Sequence, residues 1–289
     1  MKKTVGAILI SAAILLIALR FFGVNEHTPD TPAVYAEGEL LVHFLDVGQG
    51  DSTFIELPDG KCMLIDASES EYADKIISYI EGRGYTAIDY ALATHPHSDH
   101  IGGMAEVIDA FDVGAFYMPQ KEHTTKTFEK MLLAVEQSGC DAHFVKAGDT
   151  LFEGEGFAAR VVAPCYDDYE DLNNFSAVVH LTYGNTAFLL TGDAEDVSES
   201  EILKSGADIR ANVLKVGHHG SSSSSTKKFV KAVSPECAVI SCGKDNEYGF
   251  PKQAVVKRLK NEGAQVLVTY EEGDIVLASD GEAVGLWNG

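Results

Sequence analysis

The amino-acid sequence predicts an α/β protein in which two sheets pack face to face and helices cover the outside. After Glu39, short apolar runs alternate with amphipathic stretches, a pattern typical of α/β architectures. The strand-like runs fall into two groups, and each group ends in helices. The 289 residues are 45% hydrophobic, which is ordinary for a soluble globular chain and sufficient for a sizeable core.

In the first half of the chain, glycine turns separate three short apolar runs, which predicts three consecutive strands. Helical and strand-like stretches then alternate. The predicted elements are strands over 40–47, 53–57 and 62–65, a helix over 72–82, a strand over 88–94 and a helix over 104–111.

The second half shows the same alternation without a visible sequence repeat. The predicted elements are strands over 158–163, 177–183 and 186–190, a helix over 197–204, strands over 211–216, 237–241 and 266–269, and helices over 227–232 and 252–263. These elements are expected to form the second sheet and its own helical layer.

The N-terminal segment differs in kind from the rest of the chain. Lys2 and Lys3 precede an apolar, uncharged run, so residues 1–24 are predicted to be an export signal or a membrane anchor, and the length of the run fits both. Residues 25–38 are predicted to be a linker, and 39–289 a single folded domain. Because lysines favour the cytoplasmic side, this domain is expected outside the cytoplasm, either secreted or anchored to the cell membrane.

The chain is strongly acidic, with a formal net charge of −22 at pH 7. Such a charge repels nucleic acid and argues against a broad phosphate-binding surface of lysine and arginine. A local metal centre can still bind a phosphodiester. The charge therefore disfavours tight DNA binding without excluding phosphoester chemistry.

The segment from His95 to His100, His-Pro-His-Ser-Asp-His, carries four candidate metal ligands in six residues directly after an apolar run. Imidazole and carboxylate together suit a borderline divalent ion such as zinc. A strand-to-helix turn of this spacing presents all four side chains to one point. The sequence therefore predicts a metal site built on His95, His97, Asp99 and His100.

Further candidate ligands lie beside other predicted strands, where α/β folds place their sites. Asp66 and Asp193 each follow an apolar strand, and so do the adjacent His218 and His219. Asn174 precedes a strand; it is a weak ligand, and a turn explains it about as well. These residues are the predicted partners of the histidine-rich segment.

Taken together, these motifs resemble the metallo-β-lactamase superfamily, and more closely the metallohydrolase domain of ComEC-type DNA-uptake proteins. The resemblance covers roughly residues 40–286. It rests on an ordered series of motifs, namely His43 to Asp51, Ile65-Asp66, Thr94 to Gly103, Asn173 to Ser176, Thr191-Gly192-Asp193 and Lys215 to Ser221. It implies a four-layer αβ/βα sandwich, the metallo-β-lactamase fold, with two metal ions in a groove at its edge.

For the first ion, the resemblance implies His95 and His97 as ligands, with Asn174 near the position where many relatives have a third histidine. For the second ion it implies Asp99 and His100 as two of the ligands.

His218 is implied as the remaining ligand of the second ion, and Asp193 as the bridge between the two. Asp66 is expected to orient the loop that carries the ligands, since metal-bound imidazoles need such a partner. His219 is expected to touch the leaving group or the substrate phosphate.

Two Zn²⁺ ions are expected, with Mn²⁺ as the alternative. Two such ions lower the pKa of a bridging water and deliver hydroxide at neutral pH, and Asp99 is expected to help orient that hydroxide. The expected function is an exported phosphodiesterase or nuclease-like hydrolase, whose substrate is a phosphodiester or another ester, with DNA among the candidates.

One motif departs from the subgroup, which often carries Tyr-Gly-His-Pro where this chain has Tyr248-Gly249-Phe250-Pro251. Phenylalanine can neither donate a proton nor bind an anion, so the substrate of the relatives does not transfer directly. Two alternatives stay open. One is a hydrolase of a small ester or a cell-envelope phosphodiester, and the other is a non-catalytic surface protein that retains the metal and is used for binding.

Overall fold

The computed structural model describes residues 38–287. The predicted signal or anchor over 1–24 and all but the last residue of the predicted linker lie outside these residues. Within the described part, the strands are β1 Leu40–Phe44, β2 Thr53–Glu56, β3 Cys62–Ile65, β4 Ala87–Leu92, β5 Asp112–Pro119, β6 Asp141–Val145, β7 Thr150–Gly154, β8 Phe157–Ala163, β9 Val178–Tyr183, β10 Thr186–Leu190, β11 Val213–Lys215, β12 Cys237–Ile240, β13 Gln265–Val268, β14 Ile275–Ser279 and β15 Val284–Leu286.

The α-helices of the same residues are α1 Ala73–Gly82, α2 Ser98–Ile101, α3 Met104–Ala110, α4 Lys126–Ser138, α5 Asp196–Ser205, α6 Lys227–Val233, α7 Gln253–Asn261 and α8 Thr269–Glu272. Short 3₁₀ helices cover Ser70–Tyr72, Leu172–Phe175 and Gly217–Gly220. Among the helices that the structure describes, none combines the length and the apolar character needed to cross a bilayer.

The strands form two sheets. The first has the order β15-β14-β1-β2-β3-β4-β5-β6 and the second the order β13-β12-β11-β10-β9-β8-β7. Strand β14 pairs antiparallel with β1, with Leu40 opposite Ser279, so the last part of the fold completes the first sheet.

The main core lies between the two sheets. Leu40, Val42 and Phe44 alternate along β1 and are fully buried there, and Phe188 and Leu190 of β10 belong to the same core cluster. Because side chains alternate along a strand, the residues in between point to the outer layers.

Helices cover the outer face of each sheet. On the first sheet, Ile76 of α1 and Met104 of α3 pack against strand residues such as Leu64. On the second, Ile202 of α5 and Phe229 of α6 do the same. The structure therefore confirms the predicted four-layer αβ/βα sandwich.

A buried polar cluster occupies the outer face of β1 and β2. The Nε2 atom of His43 lies 2.8 Å from Glu56 Oε1, and Arg83 Nε donates to the same oxygen at 2.6 Å. Burial alone would raise the pKa of Glu56, but the bonds from His43 and Arg83 outweigh it and lower that pKa. Burial lowers the pKa of His43. This cluster gives the fold a source of acid sensitivity away from the metal centre.

The predicted strand over 88–94 ends early, at Leu92, for a reason that concerns the site. The amide of Thr94 leaves the ladder and donates to Asp66 Oδ1 at 2.8 Å. The carbonyl of Thr94 accepts from Ala177 N at 3.0 Å, which ties the first sheet to the second. The ends of β3, β4, β10 and β11 therefore meet at one edge of the sandwich.

Candidate metal centre

The segment from His95 to His100 connects β4 to α2. His97 precedes α2 in an extended conformation, and the helix carries Asp99 and His100. Because the chain reverses at this point, His95, His97 and His100 face the same space, with the rings of His95 and His100 4.1 Å apart between centroids. The predicted ligand segment is therefore a compact turn at the strand end.

The glycine-rich segment from Asp46 to Asp51 supports this turn from below. The Asp51 amide donates to the Asp99 carbonyl at 3.0 Å. A Cβ atom at Gly50 would lie 2.4 Å from Ser68 Oγ and 2.5 Å from the same Asp99 carbonyl. Only glycine allows this close approach, so Gly50 fixes the height of Asp99 above the sheet.

Asp66 holds the turn from the end of β3. Its carboxylate accepts from Thr94 Oγ1 at 2.7 Å and from His100 Nδ1 at 2.7 Å. This bond directs the other ring nitrogen of His100 into the centre. The structure thus places Asp66 in contact with a candidate ligand, as an orienting residue should be.

Asp193 reaches the centre from the second sheet. Gly192 has a left-handed backbone with φ 51°, and a Cβ there would lie 3.0 Å from Thr94 and 3.2 Å from Ser176. The Asp193 amide donates to Ser176 Oγ at 3.1 Å. This tight turn brings the carboxylate across the gap between the sheets.

The Asp193 carboxylate is surrounded by imidazole nitrogens. Its Oδ1 lies 3.3 Å from His100 Nε2. Its Oδ2 lies 4.0 Å from His95 Nε2, 3.5 Å from His219 Nε2 and 3.8 Å from His218 Nε2. The predicted bridging position of Asp193 therefore corresponds to the geometric centre of the site.

Four of these histidines present the same nitrogen because each is held through its Nδ1 atom. His100 Nδ1 contacts Asp66, His219 Nδ1 donates to the Ser241 carbonyl at 2.9 Å, and His218 Nδ1 lies 2.9 Å from Glu195 Oε1. His95 Nδ1 lies 3.3 Å from Ser176 Oγ. Anchoring Nδ1 leaves Nε2 free as a lone-pair donor toward the centre.

The ligand atoms of Asp99, His100, Asp193 and His219 all lie within 4.8 Å of one another. The sequence predicts His218 in this group and His219 at the substrate, but in the structure it is His219 that lies with Asp99 and His100. Both residues have a left-handed backbone, with φ 48° and 51°, which rotates their side chains away from the order expected along an extended chain. His219, which is buried, therefore joins Asp99 and His100.

His95 and His97 form a second set of candidate ligands. His95 Nε2 and His97 Nδ1 are 3.0 Å apart. His218, whose side chain is 22% exposed, directs its free nitrogen toward Asp193 Oδ2. It can therefore supply a further ligand to the pair formed by His95 and His97.

Asn174 has another role in the structure than the predicted one. Its Oδ1 accepts the amide of Ser198 at 3.1 Å, so the side chain caps the first turn of α5. The neighbouring Asn173 lies closer to the centre, with Nδ2 3.3 Å from His218 Nδ1. The third-ligand assignment of Asn174 does not fit this geometry, because its oxygen is already committed to the helix.

The imidazoles differ in their affinity for protons. Burial lowers the pKa of His95, and nearby His100 acts in the same direction. Burial also lowers the pKa of His97. Burial opposes protonation of His100 and His219 as well, but the carboxylates around them, with Asp193 foremost, raise the pKa of both. One pair of histidines is thus neutral, and the other lies in a strongly negative field.

The imidazoles in turn lower the pKa of the two neighbouring carboxyl groups. Burial alone would raise the pKa of Asp99 and Asp193, but His100 and His219 hold the pKa of both well below the usual range. Both groups are therefore acceptor-only carboxylates at neutral pH.

Sequence reasoning missed a buried ion pair beneath the centre. Lys215 and Asp51 form it, with both side chains 3% exposed. Asp51 Oδ1 lies 3.7 Å from His219 Nδ1. Burial would lower the pKa of Lys215, but the Asp51 and Asp193 charges raise it, so the ammonium stays charged. The available signal was a lysine inside the otherwise apolar run of β11.

Buried atoms without partners test whether a cation fits this donor set. Among the described residues, His100 Nε2 and Asp193 Oδ1 are buried, face each other and make no hydrogen bond of acceptable geometry. Unsatisfied buried groups of this kind are costly unless something binds them. Nitrogen and carboxylate donors around a buried, negatively charged centre suit a divalent metal ion. The residues present therefore fit a divalent metal.

A two-sheet αβ/βα sandwich with a histidine and aspartate metal centre at its edge defines a class of proteins that are typically metal-dependent hydrolases. The comparisons specify the family. Residues 45–244 match the family model of the metallo-beta-lactamase superfamily, and the chain belongs to this superfamily.

The proteins similar to this chain include competence proteins of the ComEC type. The chain is 31% identical to ComE operon protein 3 of Bacillus subtilis (strain 168) over 261 residues, which are 84% of this chain and 33% of that protein. It is 28% identical to competence protein ComA of Neisseria gonorrhoeae over 239 residues, covering 82% of this chain and 32% of that one. The chain thus spans about a third of the length of these relatives, and its resemblance to ComEC-type proteins is confirmed.

A solved structure agrees on the fold. The metallo-beta-lactamase fold protein YhfI from Bacillus subtilis superposes with a TM-score of 0.51 at 12% identity, covering 79% of this chain and 96% of that one. This likeness concerns the fold alone.

Proposed function

We propose that this protein is an extracytoplasmic phosphodiesterase that uses two divalent metal ions, with zinc as the native metal and manganese as the alternative. One observation carries the proposal. The Asp193 carboxylate lies close to histidines of both sets: its Oδ1 is 3.3 Å from His100 Nε2, and its Oδ2 is 3.5 Å from His219 Nε2 and 4.0 Å from His95 Nε2, so one carboxylate can serve two sets of ligands. A purely structural ion would need neither a second set nor a partly open position.

Two divalent ions held there would supply a hydrolytic nucleophile at neutral pH and stabilise the charge that develops on phosphorus. The residues of the chain would hold these ions and orient the groups around them. His95 and His97 offer neutral lone pairs, because burial lowers the pKa of both. Asp66 keeps the His100 ring in the tautomer that directs Nε2 inward.

Asp99 is the residue of the group best placed to act on the attacking water. Its side chain is 27% exposed, whereas His100, His219 and Asp193 are almost fully buried. As a carboxylate with a lowered pKa, it accepts hydrogen bonds and orients a water molecule on the open side of the centre. His218 also borders the open side and is positioned to contact a phosphate oxygen or the leaving group.

For the substrate, we infer a phosphodiester, and the resemblance to competence proteins makes DNA a candidate. The net charge of −22 favours a second candidate, a small or cell-envelope phosphodiester, because a long polyanion would be repelled. The location outside the cytoplasm rests on Lys2, Lys3 and the apolar run that follows them.

The test is to purify the protein, count bound metals, and assay bis(p-nitrophenyl) phosphate, single-stranded DNA and a β-lactam. Asp193→Ala should lose bound metal and lower kcat/KM for the phosphodiester by at least about 100-fold. Asp109→Ala, at an exposed aspartate on α3, is the matched control and should retain both.

Hydrolysis that survives both Asp193→Ala and chelation would overturn the proposal. A metal-loaded protein that hydrolyses none of these substrates would instead support the non-catalytic, metal-retaining binding protein.

A further inference from the structure

Two aromatic residues stand beside the metal centre on the loop that follows β12. The ring of Phe250 lies 5.5 Å from the ring of His218, with an interplanar angle of 72°. The ring of Tyr248 stacks on Phe250 with centroids 5.5 Å apart and planes at 19°. Tyr248 is 54% exposed. We call this pair the aromatic shelf.

The loop is built to hold the shelf in place. The Asn246 side chain accepts the amide of Phe250 at 3.0 Å and donates to the Phe250 carbonyl at 2.7 Å. Lys252 Nζ donates to the Tyr248 carbonyl at 2.6 Å and lies 5.2 Å from the centre of the Phe250 ring. The rings therefore need little ordering when a ligand arrives, which favours binding.

The aromatic shelf lies next to the candidate metal centre. His218, which touches Phe250, directs Nε2 toward Asp193 at 3.8 Å. Partial burial raises the pKa of Tyr248, and the carboxylates of Glu247 and Asp99 raise it further, so the phenol lies within electrostatic reach of Asp99. A substrate held at the centre can therefore extend a group onto the shelf.

We propose that the shelf binds a planar aromatic ring attached to the scissile phosphodiester, such as a nucleobase, and so selects the substrate. The inference rests on the proposed phosphodiesterase function. Exposed aromatic faces bind flat rings by stacking, with little dependence on base identity. The ammonium of Lys252 lies beside the shelf, where it offsets some of the acidic field against a substrate phosphate. Phe250, which cannot act on the phosphate as a histidine could, contributes by holding the exposed Tyr248 ring in a stack beside the centre.

The experiment compares two substrates that share the broken bond and the leaving group. Thymidine 5′-(p-nitrophenyl phosphate) carries a ring on the retained side, and ethyl p-nitrophenyl phosphate does not. The measured quantity is the ratio of the two kcat/KM values in the wild type, Phe250→Leu, Tyr248→Leu and Phe144→Leu. Phe144 is a matched control, since it is 62% exposed and lines a separate cavity with Val145 and Lys146.

A second measurement does not depend on hydrolysis. Fluorescence anisotropy follows the binding of a labelled thymidine tetranucleotide, and of the corresponding abasic oligonucleotide, to the same four proteins. Tyr248→Leu changes a largely exposed position and should leave the fold intact. Thermal unfolding tests whether each variant is folded.

We expect the thymidine preference to fall by about 5- to 20-fold in Phe250→Leu and in Tyr248→Leu, and to stay unchanged in Phe144→Leu. The tetranucleotide should bind more weakly to both shelf variants, whereas the abasic oligonucleotide should bind all four proteins alike. An unchanged ratio together with unchanged tetranucleotide binding would overturn the shelf. If no phosphodiester is hydrolysed, the proposed function fails, and the binding arm alone decides for or against the shelf.

Discussion

Replacing Lys215 by methionine should destabilise the fold far more than replacing any exposed lysine. Lys215 pairs with Asp51 beneath the metal centre, and both side chains are 3% exposed. Its ammonium also donates to the carbonyls of Gly192 at 3.2 Å and Val216 at 3.3 Å. Methionine fills nearly the same volume, so the change removes charge and hydrogen bonds and leaves packing almost intact.

The expected magnitude follows from what is left behind. Removing one partner of a buried ion pair leaves an uncompensated charge and costs about 3 to 5 kcal/mol of unfolding free energy. The remaining Asp51 carboxylate would lie 3.7 Å from His219 and 3.8 Å from His100, and these two imidazoles compensate it only in part. With an m-value near 3 kcal/mol/M, the urea midpoint should fall by about 1 to 1.7 M.

The assay is urea unfolding in the presence of a chelator, so that bound metal does not mask the change. Lys228→Met, at an exposed position of α6, is the matched control and should stay within about 0.5 kcal/mol of the wild type. The double variant Asp51→Asn with Lys215→Met should lose less unfolding free energy than the two single variants together, by about 0.5 to 3 kcal/mol. A loss below about 1 kcal/mol for Lys215→Met, or additive single changes, would refute the role assigned to the pair.

Three further predictions, with four substitutions, test other parts of the structure. Because the folded pKa of Glu56 is lowered, its stabilisation is present above the unfolded value of about 4.3 and is lost as pH falls through the folded pKa. Glu56→Gln should thus lower the free energy of unfolding at pH 7 by about 1 to 3 kcal/mol. In a series of urea unfolding curves, the difference in unfolding free energy between variant and wild type should become smaller below about pH 4.3. A difference that grows there would contradict the pairing of Glu56 with His43 and Arg83. Asn174→Ala should lower the free energy of unfolding by about 0.5 to 2 kcal/mol, because the Ser198 amide loses its acceptor. Mass spectrometry should find the same metal content as in the wild type. Loss of a metal ion would show that Asn174 is a ligand. His219→Ala should lose about one metal equivalent and His218→Ala less. Equilibrium dialysis with Zn²⁺ that gave the opposite order would place His218, and not His219, with Asp99 and His100.

The positions of Asp66 and Asp193 were accessible to sequence reasoning because they depend on local rules. Each follows an apolar strand, and strand ends of an α/β fold converge on one edge. The structure brings both carboxylates to the same centre, with Asp66 on His100 and Asp193 against four imidazoles. A strand end is recognisable without knowledge of the partner strand.

The order of His218 and His219 was not accessible in the same way. Two adjacent histidines after a strand are equivalent in sequence until the backbone angles are known, and the left-handed conformation of both residues decides which one enters the buried group. Asn174 shows a similar limit, since its oxygen is claimed by an amide 24 residues away in sequence. Side-chain competition between distant segments leaves no local pattern.

Sequence reasoning missed helix α4, although Thr125 caps its start and a left-handed Gly139 ends it, which are local signals. Other missed elements have weak or long-range signals. Strand β5 begins with half-exposed residues that include Gly114, and β6 is exposed along most of its length. Strand β14 owes its place to β1, with Ser279 opposite Leu40. Hydrophobic periodicity cannot reveal a pairing between segments more than two hundred residues apart.

The pairing of β14 with β1 also makes the domain easy to join to other chains. The described fold starts at β1 and finishes at β15, and these strands are separated only by β14, so they lie about 10 Å apart across the sheet. A domain whose two ends lie side by side can be inserted into, or appended to, a larger protein with short connections and little strain. This geometry is compatible with the larger relatives, of which the chain matches only about a third.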